Sequence, residues 1–236
     1  MTIFRLLILP NKLLKKHLAE DLDSLFREKG DATQAEGMRR YMKDQFPYYG
    51  ISSPVRRAIL GEYFSLNSYP DPTEFPVILD ELWSYDEREM QYACLDLIRR
   101  LIKKQPIEFI EVLEDLIVRK SWWDTVDALS VDAGTLFQKY PALQISTTTH
   151  WMSSGNLWLK RAAVIHQLKY KEHTDWNLLQ KYILQIADST DFFLRKAAGW
   201  ALRQYSKHNP QAVRNFIEKY RDKLSGLTIR EGSKYV

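Results

Sequence analysis

Four alanines recur along this chain at nearly constant intervals, and this period constrains the fold more than any other feature of the sequence. The intervals are 35, 34 and 35 residues between Ala93, Ala128, Ala162 and Ala197. A period of this length accommodates two helices and two turns, the repeating unit of a helical solenoid. The last two units also share a similar local sequence, at Leu159–Ala163 and Leu194–Ala198. A non-repeating helical bundle with coincidental alanine spacing is the alternative.

The spacing of apolar residues predicts an all-α chain. Leu95, Ile98 and Ile102 recur three or four residues apart, and no stretch alternates convincingly as a strand would. The chain has 9 Gly and 9 Pro in 236 residues, too few for the many tight turns of a sandwich or barrel. We therefore expect about a dozen helices in an α-α superhelix with a concave face. Residues 1–11 would form an N-terminal extension and residues 12–236 a single domain.

The small net charge of the chain conceals a local asymmetry. The whole sequence has 34 Lys and Arg against 30 Asp and Glu, a net charge of +4. Residues 151–236 hold 15 Lys and Arg and 7 Asp and Glu, a net charge of +8, which leaves −4 for residues 1–150. A concave basic face in the C-terminal repeats would suit a polyanionic partner. Solvated helix faces alone can also produce such asymmetry.

Cysteine usage and motif content argue against several chemistries. Cys94 is the only cysteine, which excludes an intramolecular disulfide and a multi-cysteine metal site and favours the reducing cytoplasm. The histidines lack zinc-binding spacing, and the phosphate-binding loop, dinucleotide turn and nucleophile elbow motifs do not occur. We therefore expect neither a metal nor a cofactor. The apolar segment Ile3–Leu9 is too short to span a membrane.

One predicted helix places an aromatic ring among three cations. Lys196, Trp200, Arg203 and Lys207 lie at i, i+4, i+7 and i+11, on a single helical face. A tryptophan between cations is typical of a surface that contacts phosphates and stacks on nucleic acid. A partly buried Trp200 with lysine and arginine stems packed around it is an equally good interpretation.

A second predicted helix begins at Ser121 and carries two carboxylates in different settings. Ser121 is the expected N-cap, and Asp124 is explained by the cap and the helix dipole. Asp127 lies beyond the first turn, where aspartate has no capping role, and it shares a face with Trp123. A carboxylate beside an indole can stabilise a developing cation, so this pair is a candidate site. The alternative is a solvent-facing Asp127 beside a packed tryptophan.

A third predicted helix carries an arginine among small and apolar residues. Arg161 is followed directly by Ala162, Ala163, Val164 and Ile165, so we expect its side chain to point outward to the concave face. There it could hold a phosphate or a carboxylate through two hydrogen bonds. A salt bridge between repeats is the alternative.

Five motifs in this order resemble those of the AlkD-like DNA alkylation repair enzymes. They cover about residues 34–232 and comprise Tyr41-Met42-Lys43 with Gly50–Pro54 and Arg56-Arg57, then Ser121–Asp127, Leu157–Ala163, Gln167–Lys171 and Gly199–Arg203. The resemblance implies a HEAT-like-repeat DNA glycosylase of base excision repair. Its substrates would be cationic alkylated purines, such as 3-methyladenine and 7-methylguanine, in double-stranded DNA, released without base flipping.

The resemblance also implies roles for individual residues. Asp127, Trp123 and Trp200 would form the catalytic cluster, and Arg161 would bind the DNA backbone beside it. The other implied DNA-binding positions are Tyr41, Ser53, Arg57, Lys169, Lys171, Arg203 and Lys207. We expect a monomer with no membrane association. Two alternatives are a non-catalytic helical-repeat protein that binds damaged or branched DNA, and a protein-interaction scaffold with an apolar groove.

Overall fold

A computed structural model describes residues 18–236, and the regular structure within this range is helical throughout. Thirteen α-helices and no strand occur among these residues, which confirms the all-α prediction. They form two compact units, divided between Arg100 and Leu101. The expected N-terminal extension at residues 1–11 lies outside the described residues, and a single domain over residues 12–236 stays a prediction. Within the described range, every helix is too short or too polar to traverse a bilayer.

The first unit contains five helices. They are α1 (Leu18–Lys29), α2 (Ala32–Tyr41), α3 (Ser53–Leu66), α4 (Phe75–Ser84) and α5 (Arg88–Leu101). The loop between α2 and α3 is organised by a buried acid, because the Glu89 carboxylate accepts the backbone N–H groups of Tyr49, Gly50 and Ile51 at 3.1, 2.8 and 3.0 Å. Gly50 has a φ of 89°, and a side chain there would collide with the Asp31 carbonyl.

The second unit contains the remaining eight helices. They are α6 (Phe109–Val118), α7 (Trp123–Lys139), α8 (Ala142–Ser153), α9 (Leu157–Ile165), α10 (Trp176–Gln185), α11 (Phe192–Ser206), α12 (Pro210–Lys219) and α13 (Gly226–Gly232). Within it, α7 packs on α9 and α9 packs on α11. The periodic alanines Ala128, Ala162 and Ala197 lie on these three helices, one on each. This succession is consistent with the expected helical-repeat solenoid.

Small residues allow α7 and the end of α9 to approach closely. The backbone carbonyl of His166 would lie 2.1 Å from a β-carbon at Gly134, so only glycine fits there. The Tyr170 hydroxyl donates a 2.7 Å hydrogen bond to the Gly134 carbonyl. Burial of the His166 ring lowers its pKa to about 4, so this residue packs as a neutral imidazole.

The helix starts follow capping chemistry, with one difference from the prediction. Asn156 and Asp191 accept backbone N–H groups at the starts of α9 and α11. The prediction of Ser121 as the N-cap of α7 is wrong. Its hydroxyl donates to the Ile117 carbonyl at 2.7 Å, and Trp122 occupies the cap position without a side-chain cap. The Ser121 hydroxyl therefore bonds to a carbonyl at the C-terminal end of α6 instead of capping the N-terminal end of α7.

Candidate functional site

The centre of the candidate site is an ion pair between α7 and α9. Arg161 donates from Nε to Asp127 Oδ1 at 2.6 Å and from Nη2 to Asp127 Oδ2 at 2.8 Å. The remaining terminal nitrogen, Nη1, donates to the backbone carbonyl of Phe193 at 2.6 Å. Arg161 therefore connects three helices, because Phe193 lies in the first turn of α11. The side chains of Arg161 and Asp127 are 4% and 16% exposed, so water screens the pair weakly.

The ionisation of Asp127 depends on two opposing influences. Burial and, to a lesser extent, the negative charge of Asp124 raise the pKa of the Asp127 carboxyl, and the hydrogen bonds and positive charge of Arg161 oppose that rise. A bidentate arginine is the partner best matched to a carboxylate in both geometry and charge. Arg161 is thus the group that keeps a negative charge at this buried position.

The expected outward orientation of Arg161 is wrong. Its guanidinium is buried against Asp127 and Phe193 rather than directed to solvent, which is the alternative of a salt bridge between repeats. The physical reason is the carboxylate one repeat earlier, because an unpaired guanidinium at this depth would lose its hydration without compensation. Phosphate binding by Arg161 stays a prediction.

Three aromatic rings, the Trp122–Trp158–Phe193 cluster, pack beside this ion pair. The ring centroid of Phe193 lies 5.1 Å from that of Trp122 and 5.0 Å from that of Trp158, and the two indoles are 5.8 Å apart. The rings stand at the starts of α7, α9 and α11, the helices that carry Asp127, Arg161 and Trp200. The cluster thereby holds together the ends of the three helices that supply the candidate site.

No pattern in the sequence marks the Trp122–Trp158–Phe193 cluster. Trp122, Trp158 and Phe193 precede their functional partners by different distances along the chain, so no single spacing marks them. Their shared position in the first turn, or just before it, becomes apparent only when the helix starts are known. Trp122 also has a buried indole N–H without a hydrogen-bond acceptor among the described residues, so its described contacts in the cluster are made by the ring.

The two tryptophans of the expected catalytic cluster lie on the outer two of the three helices. Trp123 is the first residue of α7, one turn before Asp127, and Trp200 lies in the middle of α11; both are half-buried. The structure thus brings Asp127 into direct contact with Arg161 and places Trp123 and Trp200 on α7 and α11, which flank α9. The catalytic roles of Asp127, Trp123 and Trp200 stay predictions.

The cations around Trp200 contact the C-terminal end of the chain. Glu231 accepts from Lys196 at 2.9 Å and from Arg203 at 3.0 Å, and the Lys207 ammonium lies 5.4 Å from the centroid of the Tyr235 ring. The hydrogen bond from Lys196, joined by one from Lys234, lowers the pKa of Glu231 to about 2. No motif in the sequence marked Glu231 as part of this surface.

The other expected DNA-binding residues lie on exposed surfaces of the two units. Lys169 and Lys171 are exposed in the second unit, and Lys171 has a φ of 57° in the left-handed region. Tyr41, Ser53 and Arg57 are exposed in the first unit, where Tyr41 is 70% accessible at the end of α2. These positions are compatible with contacts to a large ligand, and their DNA-binding roles stay predictions.

Among residues 18–236, no group of three His, Cys, Asp or Glu side chains is placed to hold a metal ion. Cys94 is buried in α5. The candidate site is thus built from a carboxylate, a guanidinium and aromatic rings.

Comparisons with known proteins place the chain in a family. A sequence model of the DNA alkylation repair enzyme family matches residues 22–236. The fold is similar to that of a predicted DNA alkylation repair enzyme from Enterococcus faecalis, with 32% sequence identity and a TM-score of 0.82 over 88% of this chain and 96% of that one.

A second solved structure shares the fold. It is smu.31 from Streptococcus mutans UA159, with 16% identity and a TM-score of 0.62 over 92% of this chain and 98% of that chain. None of the curated proteins matches the chain. The family match covers both compact units and every residue of the candidate site, and the more similar solved structure has the same helical fold. The chain therefore belongs to the DNA alkylation repair enzyme family.

Proposed function

We propose that this protein is a DNA glycosylase that releases cationic alkylated purines, such as 3-methyladenine and 7-methylguanine, from duplex DNA in base excision repair. The observation that carries the proposal is the buried Asp127 carboxylate, which Arg161 holds in a bidentate pair one helical turn after Trp123. The proposed enzyme acts as a cytoplasmic monomer without a cofactor.

The proposed reaction does not require a strong general acid. A purine alkylated at N3 or N7 carries a positive charge, so the bond between sugar C1′ and purine N9 is already weakened. When this bond breaks, its electron pair leaves with the base and neutralises it, and the sugar acquires oxocarbenium character. The Asp127 carboxylate would stabilise that positive charge, as carboxylates do in sugar hydrolysis. Water then bonds to C1′ and loses a proton, which leaves an abasic site.

The two tryptophans have a matching role. The face of an indole ring attracts a cation by about 0.5–2 kcal/mol, the larger values applying where water is excluded. Trp123 and Trp200 would use that attraction for the cationic lesion and the developing charge on the sugar. As the resemblance to AlkD-like enzymes implies, we propose that the lesion stays in the duplex during the reaction.

Arg161 would have two roles, to hold the Asp127 carboxylate and to contact a DNA phosphate. A guanidinium has five N–H donors, and three of those in Arg161 are used by Asp127 and Phe193. The side chain is 4% exposed, so a phosphate would take the two that remain only if DNA binding made the side chain accessible. Further backbone contacts would come from Ser53, Arg57, Lys169, Lys171 and Lys207, all exposed, and Tyr41 would also contact DNA.

The decisive experiment measures base release. The wild-type protein, incubated with duplex DNA containing 7-methylguanine, is expected to release the free base. Asp127→Asn is expected to lose about 100-fold or more in single-turnover rate, in line with the loss of one preorganised electrostatic contact. Asp124→Asn is the matched control, because it removes the same charge from the first turn of α7 and leaves the hydrogen bonds between Asp127 and Arg161 in place. It is expected to retain base release.

The outcomes separate the alternatives. Release at equal rates by the wild type and Asp127→Asn would refute the proposed mechanism. Tight, salt-sensitive binding of duplex without any base release would identify a non-catalytic DNA-binding protein instead. Weak DNA binding even at low salt would favour the protein-interaction scaffold.

A further inference from the structure

A buried carboxylate near the C-terminus binds the cations on either side of Trp200. The Glu231 side chain is 7% exposed and accepts from Lys196 through Oε1 at 2.9 Å and from Arg203 through Oε2 at 3.0 Å. Lys234 adds a third contact to Oε2 at 3.0 Å. On α11, Lys196 precedes Trp200 by four residues and Arg203 follows it by three, so Glu231 joins both sides of the tryptophan.

The packing of α13 on α11 holds this carboxylate in place. A β-carbon at Gly199 would lie 2.6 Å from Cβ of Glu231 and 3.0 Å from the Thr228 carbonyl, so the two helices are in backbone contact there. The Thr228 hydroxyl donates to the Arg195 carbonyl at 3.1 Å, and the Ser225 side chain caps α13 through the Thr228 N–H at 3.0 Å. The carboxylate therefore cannot retreat from α11 without unpacking α13.

The three partners of Glu231 remain partly accessible to a ligand. The side chains of Lys196 and Arg203 are 39% and 26% exposed, whereas the carboxylate beneath them is almost fully buried. A DNA phosphate that approached Trp200 would meet cations whose charge is partly compensated from the protein side, because one carboxylate contacts three cations. The carboxylate already takes a donor from each cation, and a like charge lies behind the donors that remain.

We propose that Glu231 weakens the binding of undamaged DNA, because it partly withholds Lys196 and Arg203 from the phosphates. The inference rests on the proposed function, because it presumes that the face around Trp200 meets DNA. Phosphate contacts carry no information about a lesion. Weaker phosphate contacts around Trp200 therefore lower the affinity for all duplex alike, including the undamaged duplex in which rare adducts must be found.

The test is the salt dependence of binding to undamaged duplex. Each phosphate that a cation neutralises contributes about −0.9 to the slope of log K against log salt concentration. Glu231→Gln preserves the shape of the side chain and releases three cations, of which Lys196 and Arg203 lie beside Trp200. It is therefore expected to tighten binding at low salt and to steepen the slope by about 1 to 2. Glu218→Gln, on the exposed face of α12, removes the same formal charge and is expected to bind as the wild type does.

A second substitution identifies the source of the added affinity. Arg203→Gln in the Glu231→Gln background is expected to reverse the slope change by about 1, the contribution of one released cation. If Glu231→Gln does not melt cooperatively, Glu231→Asp is measured in its place. It retains the charge but shortens the side chain, so it is expected to steepen the slope by a smaller amount.

The outcomes distinguish the inference from the proposed function. A slope for the folded Glu231 variant equal to or shallower than that of the wild type overturns the inference, and so does an equal change in Glu218→Gln. Wild-type protein without measurable duplex affinity overturns the inference and the proposed DNA substrate together. Wild-type protein that binds duplex but releases no base overturns only the catalytic proposal, because the role of Glu231 concerns binding.

Discussion

Removal of Arg161 should expose the cost of an unpaired carboxylate inside the repeat array. Arg161→Met preserves most of the buried aliphatic volume and removes the three hydrogen bonds to Asp127 and Phe193. Asp127 then remains at 16% exposure without a counter-ion. Breaking a buried pair by removing one partner costs about 3–5 kcal/mol. Because Asp127 retains some contact with water, we expect a loss of about 3 kcal/mol in the free energy of unfolding.

The double variant separates pairing from packing. Once Asp127→Asn has removed the charge, Arg161→Met no longer leaves an uncompensated carboxylate. The two substitutions are therefore expected to be less costly together than the sum of their separate effects, by about 2 kcal/mol. The surface pair of Arg119 and Asp115, at 2.7 Å with side chains 38% and 52% exposed, is the matched control. Arg119→Met should cost less than about 1 kcal/mol.

The pH dependence of stability is a second test for an unpaired Asp127 carboxylate in Arg161→Met. Without Arg161, the pKa of Asp127 in the folded state rises further above its unfolded value, because burial is no longer opposed. A raised carboxyl pKa lowers stability above that pKa, and the loss is recovered as the pH falls through it. Urea denaturation from about pH 7.5 to about pH 5 should therefore show the deficit of Arg161→Met shrinking relative to wild type. A deficit below about 1 kcal/mol, or one that does not change with pH, would refute this reasoning.

Two further predictions concern the surroundings of the ion pair. Trp158→Ala should lower the rate of base release, because it loosens the ring of Phe193, whose carbonyl accepts a hydrogen bond from Arg161. Trp176→Ala is the control: it breaks a stacked pair with Tyr205 at 4.7 Å on α10 and α11 and should reduce stability without lowering the rate of base release. Equal single-turnover rates for Trp158→Ala and the wild type would remove the Trp122–Trp158–Phe193 cluster from the site. The pKa of His166, lowered to about 4 by burial, should make the protein lose stability as the pH falls from about 6.5 to about 4, since the unfolded state binds the proton more readily. Thermal melts of the wild type and His166→Asn across that range measure this loss. A parallel fall in the stability of both proteins would contradict the assignment of the loss to His166.

The helical architecture could be predicted from local pattern alone. Apolar residues at helical spacing and the interval of about 35 residues between small residues suffice for a helical-repeat chain, and the structure places Ala128, Ala162 and Ala197 on three successive packed helices. Helix boundaries were less predictable. Ser121 has the chemistry of an N-cap, but its hydroxyl is used by the end of α6, because two helix ends compete for one side chain.

The candidate site was also predictable only in part. Its residues could be selected from the sequence, since Asp127 has no capping role in its helix and the surrounding motifs resemble a known family. Their mutual contacts could not, because an arginine among alanines is compatible with a phosphate contact or a salt bridge. The bidentate pair settles that orientation in the structure, and the Phe193 carbonyl that completes it comes from one repeat later.

What the sequence alone determined is the repeat, the helical class and the family, because each depends on local periodicity or on contiguous motifs. Only the tertiary structure decided the pairing of charges. The basic stripe on α11 looks uncompensated along the chain, yet Glu231, 28 residues after Arg203, pairs with two of its cations from a buried position. Electrostatic partners are chosen by distance in space and by burial, and neither quantity is contained in the spacing of residues along one helix.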